Sequence, residues 1–502
     1  MHITAKLLYD YIQCPHKVWR DIYGPQEEKI LETNPFIELL WQKGLQHEEE
    51  VIRGIGKYTN VSKGSIEERI YRTISEMQKG TSLIYQGVIQ WQDLLGIPDL
   101  LRKVSDGEYI PIDIKSGAGL EGIDEEGIVD GKPKKHYAVQ LCLYNEILKK
   151  LKFAKINRGL IIDINQNEVD YFLDNPQSER NKTTWLEVYE EIKQNVKLLL
   201  ENKKQNKPAL SGICKLCPWY YSCRNWCENC KDLTNIFYLG REKRDTINKD
   251  LSIDRVDQMC SCDINGVLEQ KKKDKVFLKG IGEKTLLKIV ERAKVINILK
   301  KPVIYKKIEF PKVLKELFFD IEDDPTQDFI YLHGVYERSA GGEEKYFSFL
   351  ALDNLQEEES KAWEEFWRYI RSMPEDSYSL YYYASHEKTA YKRLEKKYPN
   401  IIKREELDTY FEKCNVIDLY TDIILKFTDW PIFSYSLKDL ATYIGFKWRD
   451  GTPSGALSIQ WYNEYLKNKD KAILNRILEY NEDDCKALMV LKDKIEKNDF
   501  SV

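Results

Sequence analysis

Residues 316–322 read ELFFDIE, an apolar run closing on two acids one residue apart. Side chains two apart on a strand share a face, so Asp320 and Glu322 point the same way from the end of an extended segment. Far downstream, residues 477–491 read ILEYNEDDCKALMVL, apolar at helical spacing, with Tyr480 and Asp484 one turn apart. Between these two segments, QDFIYLHGVYER (327–338) and EKYFSFLALD (344–353) read as antiparallel strands. A helix is predicted over 357–372, then a strand in SYSLYYYAS (377–385) and a helix in HEKTAYKRLEKKY (386–398), with mostly helix beyond. Residues 307–502 are thus expected to form one α/β unit.

A second group of acids lies upstream. TSLIYQGVIQW (81–91), LLGIPDLLRKV (94–104) and EYIPIDIKSG (108–117) read as consecutive strands joined by short turns. Asp113 and Lys115 share a face, and an antiparallel neighbour brings Asp99 beside them. Carboxylates that hold a divalent ion, with a cation beside them, are what metal-assisted phosphodiester hydrolysis requires. A helix follows in HYAVQLCLYNEILKKL (136–151) and a hairpin in GLIIDINQNEVDYFLD (159–174). A long amphipathic helix is expected from about Glu179. This unit is expected to span 1–235, with a lysine-rich helical segment over 236–306. In that segment FLKGIGEKTLLKIVERAKVI (277–296) places Gly280 and Gly282 between two helical patterns. A turn of this kind either packs two helices or offers backbone N–H groups, with Lys284 nearby, to a nucleic-acid phosphate.

Composition sets the bounds. At 502 residues, with 42% hydrophobic residues, 32 Tyr and 11 Trp, the chain can bury several cores and is not disordered. No run of eighteen apolar residues occurs, so no membrane span is expected, nor a secretory leader, and a cytoplasmic setting follows. The 77 Lys and Arg nearly balance 82 Asp and Glu, giving a net charge of -5 that shows no basic footprint. Local lysine patches at 132–135, 271–273 and 300–307 read as solvated faces. Five of the eleven cysteines crowd into GICKLCPWYYSCRNWCENC (212–230), a density that suits a metal centre.

The order of motifs carries a resemblance. Gly44 to His47, Asp99, Asp113-Ile114-Lys115, and Gln140 to Tyr144 together resemble RecB-family PD-(D/E)XK nucleases. That resemblance implies a restriction-endonuclease-like fold in which His47, Asp99, Asp113 and the Ile114 carbonyl ligate Mg²⁺ or Mn²⁺. It implies that Lys115 orients water, and that Gln140 and Tyr144 hold the DNA end or support Lys115. Cys14, Cys214, Cys217 and Cys223 are spaced as in the iron–sulphur branch of these nucleases, which includes the AddB subunit and CRISPR-associated relatives. A structural 4Fe–4S cluster is implied. A zinc site on Cys214, Cys217, Cys227 and Cys230 is the alternative.

The C-terminal unit resembles the tyrosine class of DEDD exonucleases, RNase H-like in fold, and within it the YprB-like subgroup. YSLKDLATYIGF (435–446) and SGALSIQWYNEYL (454–466) resemble that subgroup's middle section. The resemblance implies two metal ions about 3.5–4 Å apart, held by Asp320, Glu322, Asp484 and a fourth carboxylate, with Tyr480 orienting the attacking water. The usual Asp is missing from YYYASHEKTAYKRL (381–394), where Glu387 takes its place. Asp418 is a further candidate or else a helix cap, and Asp483 reads as a solvated neighbour.

Taken together, the expected architecture is α/β multidomain, with a PD-(D/E)XK domain and an RNase H-like domain joined by a helix–hairpin–helix-like segment. The implied activity is a metal-dependent deoxyribonuclease with two active sites acting on single-stranded DNA or DNA ends, the C-terminal one 3′ to 5′. DNA repair, defence against mobile elements and CRISPR-type DNA processing are the implied settings. No P-loop is present, so any helicase is a partner, as CRISPR-adaptation proteins would be. A ribonuclease, and a nucleic-acid-binding scaffold with a vestigial metal site, are the alternatives.

Overall fold

The structure is a computed structural model that describes residues 1–30, 35–122, 131–179, 181–452 and 454–500. The chain divides into two compact units. The first takes in most of residues 1–208 with Lys215–Ser222, and the second Ala209–Cys214 and Cys223–Val502. The helical segment expected over 236–306 clusters with the second unit. Among the described residues no helix is long and apolar enough to cross a membrane.

The first unit is built on a six-stranded mixed sheet. Its strands are β1 (Thr59–Asn60), β2 (Leu83–Tyr85), β3 (Leu100–Ser105), β4 (Glu108–Ile114), β5 (Arg158–Ile162) and β6 (Glu168–Phe172), in the order β6-β5-β4-β3-β2-β1. β3 and β4 form the expected hairpin and β5 and β6 another, whereas β4 and β5 are parallel. A parallel pair needs a crossover, and the helix Lys135–Lys150 supplies it. Nine of its residues are buried, so it reads as apolar on most faces and packs into the core with Ile84, Leu101, Tyr109 and Ile161. The long helix expected from about Glu179 begins at Trp185, where Thr184 and Glu187 form a capping box that sets its start.

The second unit carries a five-stranded mixed sheet. β7 (Lys315–Asp324), β8 (Phe329–Ser339) and β9 (Glu344–Leu350) form an antiparallel meander. β10 (Tyr378–Tyr382) and β11 (Val416–Asp418) add in parallel on the other side of β7, giving the order β9-β8-β7-β10-β11. The helices Gln356–Arg371 and His386–Lys397 bury Trp363, Phe366, Trp367 and Tyr391 against one face. Leu488 and Leu491 of the 27-residue helix Lys471–Lys497 pack with Phe318 and Tyr381 of the sheet.

A small helical subassembly precedes this sheet and has its own core of Ile247, Met259, Leu278, Ile281, Ile289 and Val290. Its glycine turn is formed as expected. Gly280 has φ +82°, and Gly282 caps the helix Glu283–Lys294. Asp429, fully buried, ties the subassembly to the segment that follows β11. It receives Arg292 Nε at 2.8 Å, Lys288 Nζ at 2.8 Å and the Tyr305 hydroxyl at 2.7 Å.

Removing one partner of a buried ion pair leaves the other charge uncompensated. Asp429→Ala, which leaves the buried Arg292 without a carboxylate, is therefore expected to lower the stability of the second unit by about 3–5 kcal/mol, read as a shift in the urea midpoint.

Candidate active site

Three acids converge at the sheet of the second unit. Asp320 and Glu322 come from the end of β7, and Asp484 from the long C-terminal helix. Their ligand-capable oxygens lie within 4.8 Å of one another, and among the described residues no other three His, Cys, Asp or Glu side chains do so. They line a cavity of about 360 Å³ with Lys438, His386, Ile459 and Tyr480. Tyr480 and Asp484 stand one turn apart on that helix, and both line the cavity.

Three like charges at this distance repel, and the site is organised to hold them. Asn481, fully buried, donates its amide to Asp320 Oδ2 at 2.9 Å and to Glu322 Oε1 at 3.4 Å. Its own oxygen accepts from the Tyr346 hydroxyl at 2.8 Å. Trp448 Nε1 donates to Asp484 Oδ1 at 2.7 Å, and Lys438 Nζ stands 3.9 Å from Asp484 Oδ2. Burial and then the Asp484 charge still push Glu322 up to about 8. Burial, Asp484, Glu322 and Glu387 hold Asp320 well above the carboxylate range. Such a cluster is short of positive charge, which a divalent ion would supply, and an all-oxygen donor set suits Mg²⁺ or Mn²⁺.

The fourth carboxylate differs from the other three. Glu387 opens the helix His386–Lys397 and is buried, and among the described residues its Oε2 has no hydrogen-bond partner. Its charge reaches Asp320, but it does not join the group within 4.8 Å. Burial, with Asp418 and Asp323 nearby, drives its carboxyl well upward. Asp418 is a cap, accepting from the backbone N–H groups of Tyr420, Thr421 and Ala384. Ala384 has φ +71°, a costly conformation for a side chain with Cβ, so Asp418 helps fix the strained turn that leads to Glu387. Asp483 is not the solvated neighbour expected. It is buried and accepts from Arg449 Nε at 2.9 Å and from the Arg449 backbone N–H at 2.8 Å.

Asn481, Trp448, Lys438 and Gly334 escaped the sequence reading. Gly334 carried a signal, because a glycine inside a strand marks close approach. A Cβ there would lie 1.6 Å from Asn481 Oδ1.

The first unit assembles most of its expected set. The Ile114 N–H donates to Asp99 Oδ2 at 2.7 Å, and the Asp99 N–H reaches Asp113 Oδ1 at 3.4 Å. Lys115 Nζ pairs with Asp113 Oδ2 at 2.8 Å. Gln140 donates to the Tyr144 hydroxyl at 2.9 Å, and the Tyr144 ring packs where a Cβ on Gly96 would fall 2.6 Å from its Cδ1. Burial and the Asp113 charge raise Asp99 well above the usual carboxylate range, while Asp113 and Asp99 raise Lys115 against the opposing effect of burial. His47 is buried with Nε2 3.0 Å from the Asp163 carbonyl oxygen. Glu48, which sequence reasoning passed over, is linked to the acids. Gln86 Nε2 bridges it to Asp99, at 2.8 and 3.2 Å.

Of the cysteines, Cys14 sits between the helices Ala5–Gln13 and Pro15–Tyr23, and Cys214 is buried in the turn Gly212–Leu216. Cys223 and Cys227 lie on the helix Tyr220–Asn229. Cys227 is fully buried and receives the Thr234 hydroxyl at 3.8 Å, and burial pushes its thiol up to about 12. Cys230 is exposed.

Residues 317–496 match the RNase H superfamily. The chain is a mixed α/β multidomain protein with an RNase H-like domain at its C-terminal end, and that domain points to a nuclease-type hydrolase, of a kind usually dependent on Mg²⁺ or Mn²⁺. The three clustered acids all fall inside the match. No curated protein matches the chain.

Two outcomes test the site. Gly334→Ala should displace Asn481, destabilise the domain by about 1–3 kcal/mol and lower any metal-dependent cleavage by the RNase H-like domain. A urea titration and a cleavage assay read these together.

The second concerns pH. The Glu322 carboxyl titrates near 8 when folded and near 4.5 when unfolded, so between those values the folded state holds a proton that the unfolded state has lost. Its contribution to stability is full below about pH 4.5 and is lost as pH rises through about 8. In EDTA the melting temperature should fall across that window. Added Mn²⁺ should raise it most at the alkaline end, where the acids are ionised.

Proposed function

We propose that the chain is a Mg²⁺- or Mn²⁺-dependent nuclease with two active sites, trimming or degrading single-stranded DNA ends. The observation that carries this reading is the grouping of Asp320, Glu322 and Asp484 within 4.8 Å at a cavity that Tyr480 also lines. A divalent ion pair bound there would activate water and stabilise the leaving oxygen. Asp320, Glu322 and Asp484 would hold the ions, and Glu387 would act through its charge on Asp320. The Tyr480 hydroxyl would orient the attacking water. This site is read as the 3′ to 5′ exonuclease.

In the first unit, Asp99, Asp113 and the Ile114 carbonyl would hold a divalent ion. Lys115 would orient the water, and Gln140 and Tyr144 would brace the strand end. Glu48 and His47 stand on the helix Pro35–Gly54, and Gln86 links Glu48 to Asp99. The RecB-like assignment rests on motif order and on the Asp99–Asp113–Lys115 contacts. Cys14, Cys214, Cys217 and Cys223 are proposed to hold a 4Fe–4S cluster, a reading supported by their spacing. The glycine turn at Gly280 and Gly282, with Lys284, is proposed to contact a DNA phosphate. DNA repair, defence or CRISPR-type processing beside a helicase or adaptation proteins remains the proposed setting.

Asp113→Ala and Asp320→Ala, assayed separately on end-labelled single strands with Mn²⁺, should each remove one cleavage pattern by on the order of a hundredfold or more. Undiminished cleavage in both variants would refute the reading. Faster turnover of a matched RNA strand would reassign the substrate.

A further inference from the structure

The lysine patch at 132–135 divides in the folded chain. Lys132 and Lys135 are exposed, whereas Lys134 is half-buried. Lys134 stands just before the helix Lys135–Lys150, at the end where a cation is unfavourable, so local propensity does not explain it. Its Nζ lies 5.3 Å from the centre of the Tyr137 ring, and Lys115 Nζ lies 5.6 Å from the same ring. A Cβ on Gly117, just beyond the end of β4, would fall 3.9 Å from Lys134 Nζ. Lys115 has a carboxylate partner in Asp113 at 2.8 Å. Among the described residues Lys134 has none, and Glu121 acts on it by charge without a hydrogen bond. Two ammonium groups at one ring repel each other, and an anion there would relieve that repulsion.

The helix Pro35–Gly54 reaches the same strand end. Trp41, Gly44, Leu45 and Glu48 recur at spacings of three and four and so form one stripe along it. Gly44 and Glu48 anchor this stripe at the site. A Cβ on Gly44 would lie 3.8 Å from Ser116 Oγ, next to Lys115. Glu48 Oε1 accepts from the Tyr85 hydroxyl at 2.9 Å and from Gln86 Nε2 at 2.8 Å. Trp41 and Leu45 belong to the same stripe, yet they are 65% and 63% exposed. An indole left in water at the edge of an acid cluster has a large apolar face to bury.

The pairing of these two features selects the occupant. A single nucleic-acid strand needs a cation for its backbone and a flat π-face for its bases, and both flank the acids here. A duplex keeps its base faces stacked on one another. An apolar protein surface would cover Trp41 and leave Lys134 without an anion.

We propose that Trp41 and Lys134 receive a single DNA strand at the Asp99–Asp113 site, the indole stacking on a base and the ammonium pairing with a backbone phosphate. The inference rests on the nuclease reading of the first unit. It adds to that reading two residues that bind the strand rather than cut it.

The test uses the full-length chain carrying Asp320→Ala, so that only the first unit's site is read, with a 5′-labelled oligothymidine and Mn²⁺. Trp41→Ala should raise KM by about 5–100-fold and leave kcat within about twofold. Trp41→Phe, which keeps a ring, should recover most of the loss. On an oligomer of equal length built of abasic residues, Trp41→Ala should have no effect, because no base is there to stack. Lys134→Met should raise KM on both oligomers and make the dependence of log KM on log salt shallower by about 0.7. An unchanged KM in Trp41→Ala, or an equal rise on thymidine and abasic strands, would overturn the stacking. An unchanged salt slope in Lys134→Met would overturn the phosphate contact. A change of oligomeric state in Trp41→Ala with KM unchanged, read by light scattering, would assign the face to a second copy instead. If the Asp320→Ala parent folds and melts normally but shows no metal-dependent cleavage, the nuclease reading of the first unit fails and this inference falls with it, a result distinct from the others.

Discussion

Repulsion among Asp320, Glu322 and Asp484 is the constraint around which the RNase H-like domain is arranged. At an effective dielectric near 20, two carboxylate charges about 5 Å apart repel by about 3 kcal/mol. Neither strand nor helix would bring them together for its own stability. They stay together because β7 is paired on both sides, by β8 and β10, and the helix Lys471–Lys497 packs across it. Asn481 reaches two of the acids from that helix and Trp448 the third, while Gly334 on β8 leaves the space Asn481 needs. The cost in like charge is what the proposed divalent ion would offset.

The first unit shows the same physics in a milder form. Asp99 and Asp113 are adjacent across a hairpin, but Lys115 is already paired with Asp113, so part of the repulsion is offset within the chain. The cation there follows from strand alternation, since Lys115 stands two residues beyond Asp113 on the same face. At the C-terminal site the nearest cation, Lys438, comes instead from a helix outside the sheet. The two sites thus reach a similar balance by different routes.

Much of this was legible along the chain. The alternation in ELFFDIE and EYIPIDIKSG put Asp320 beside Glu322 and Asp113 beside Lys115, and the helical period put Tyr480 beside Asp484. Each of these is a relation between residues at most four apart, where backbone geometry alone fixes the direction of a side chain. Gln140 and Tyr144 belong to the same class. The expectation for Asp483 failed because its partner, Arg449, lies in a loop whose path no local rule predicts. The fourth carboxylate was hard to assign for a related reason. Glu387 is delivered by a strained turn at Ala384, and only Asp418 from another strand explains why that turn holds.

By itself, then, the amino-acid sequence determined the elements, the pairs of chemical groups within each element, and which residues carry charge toward a common face. Periodicity is a local property, and it survives in one dimension. The tertiary structure decided that Asp484 meets Asp320 and Glu322, that Asn481 braces them, that Glu48 stands beside Asp99 through Gln86, and that Lys438 reaches Tyr480. These contacts join residues on separate elements, and their distances depend on how sheets twist and helices pack, which only the folded chain specifies.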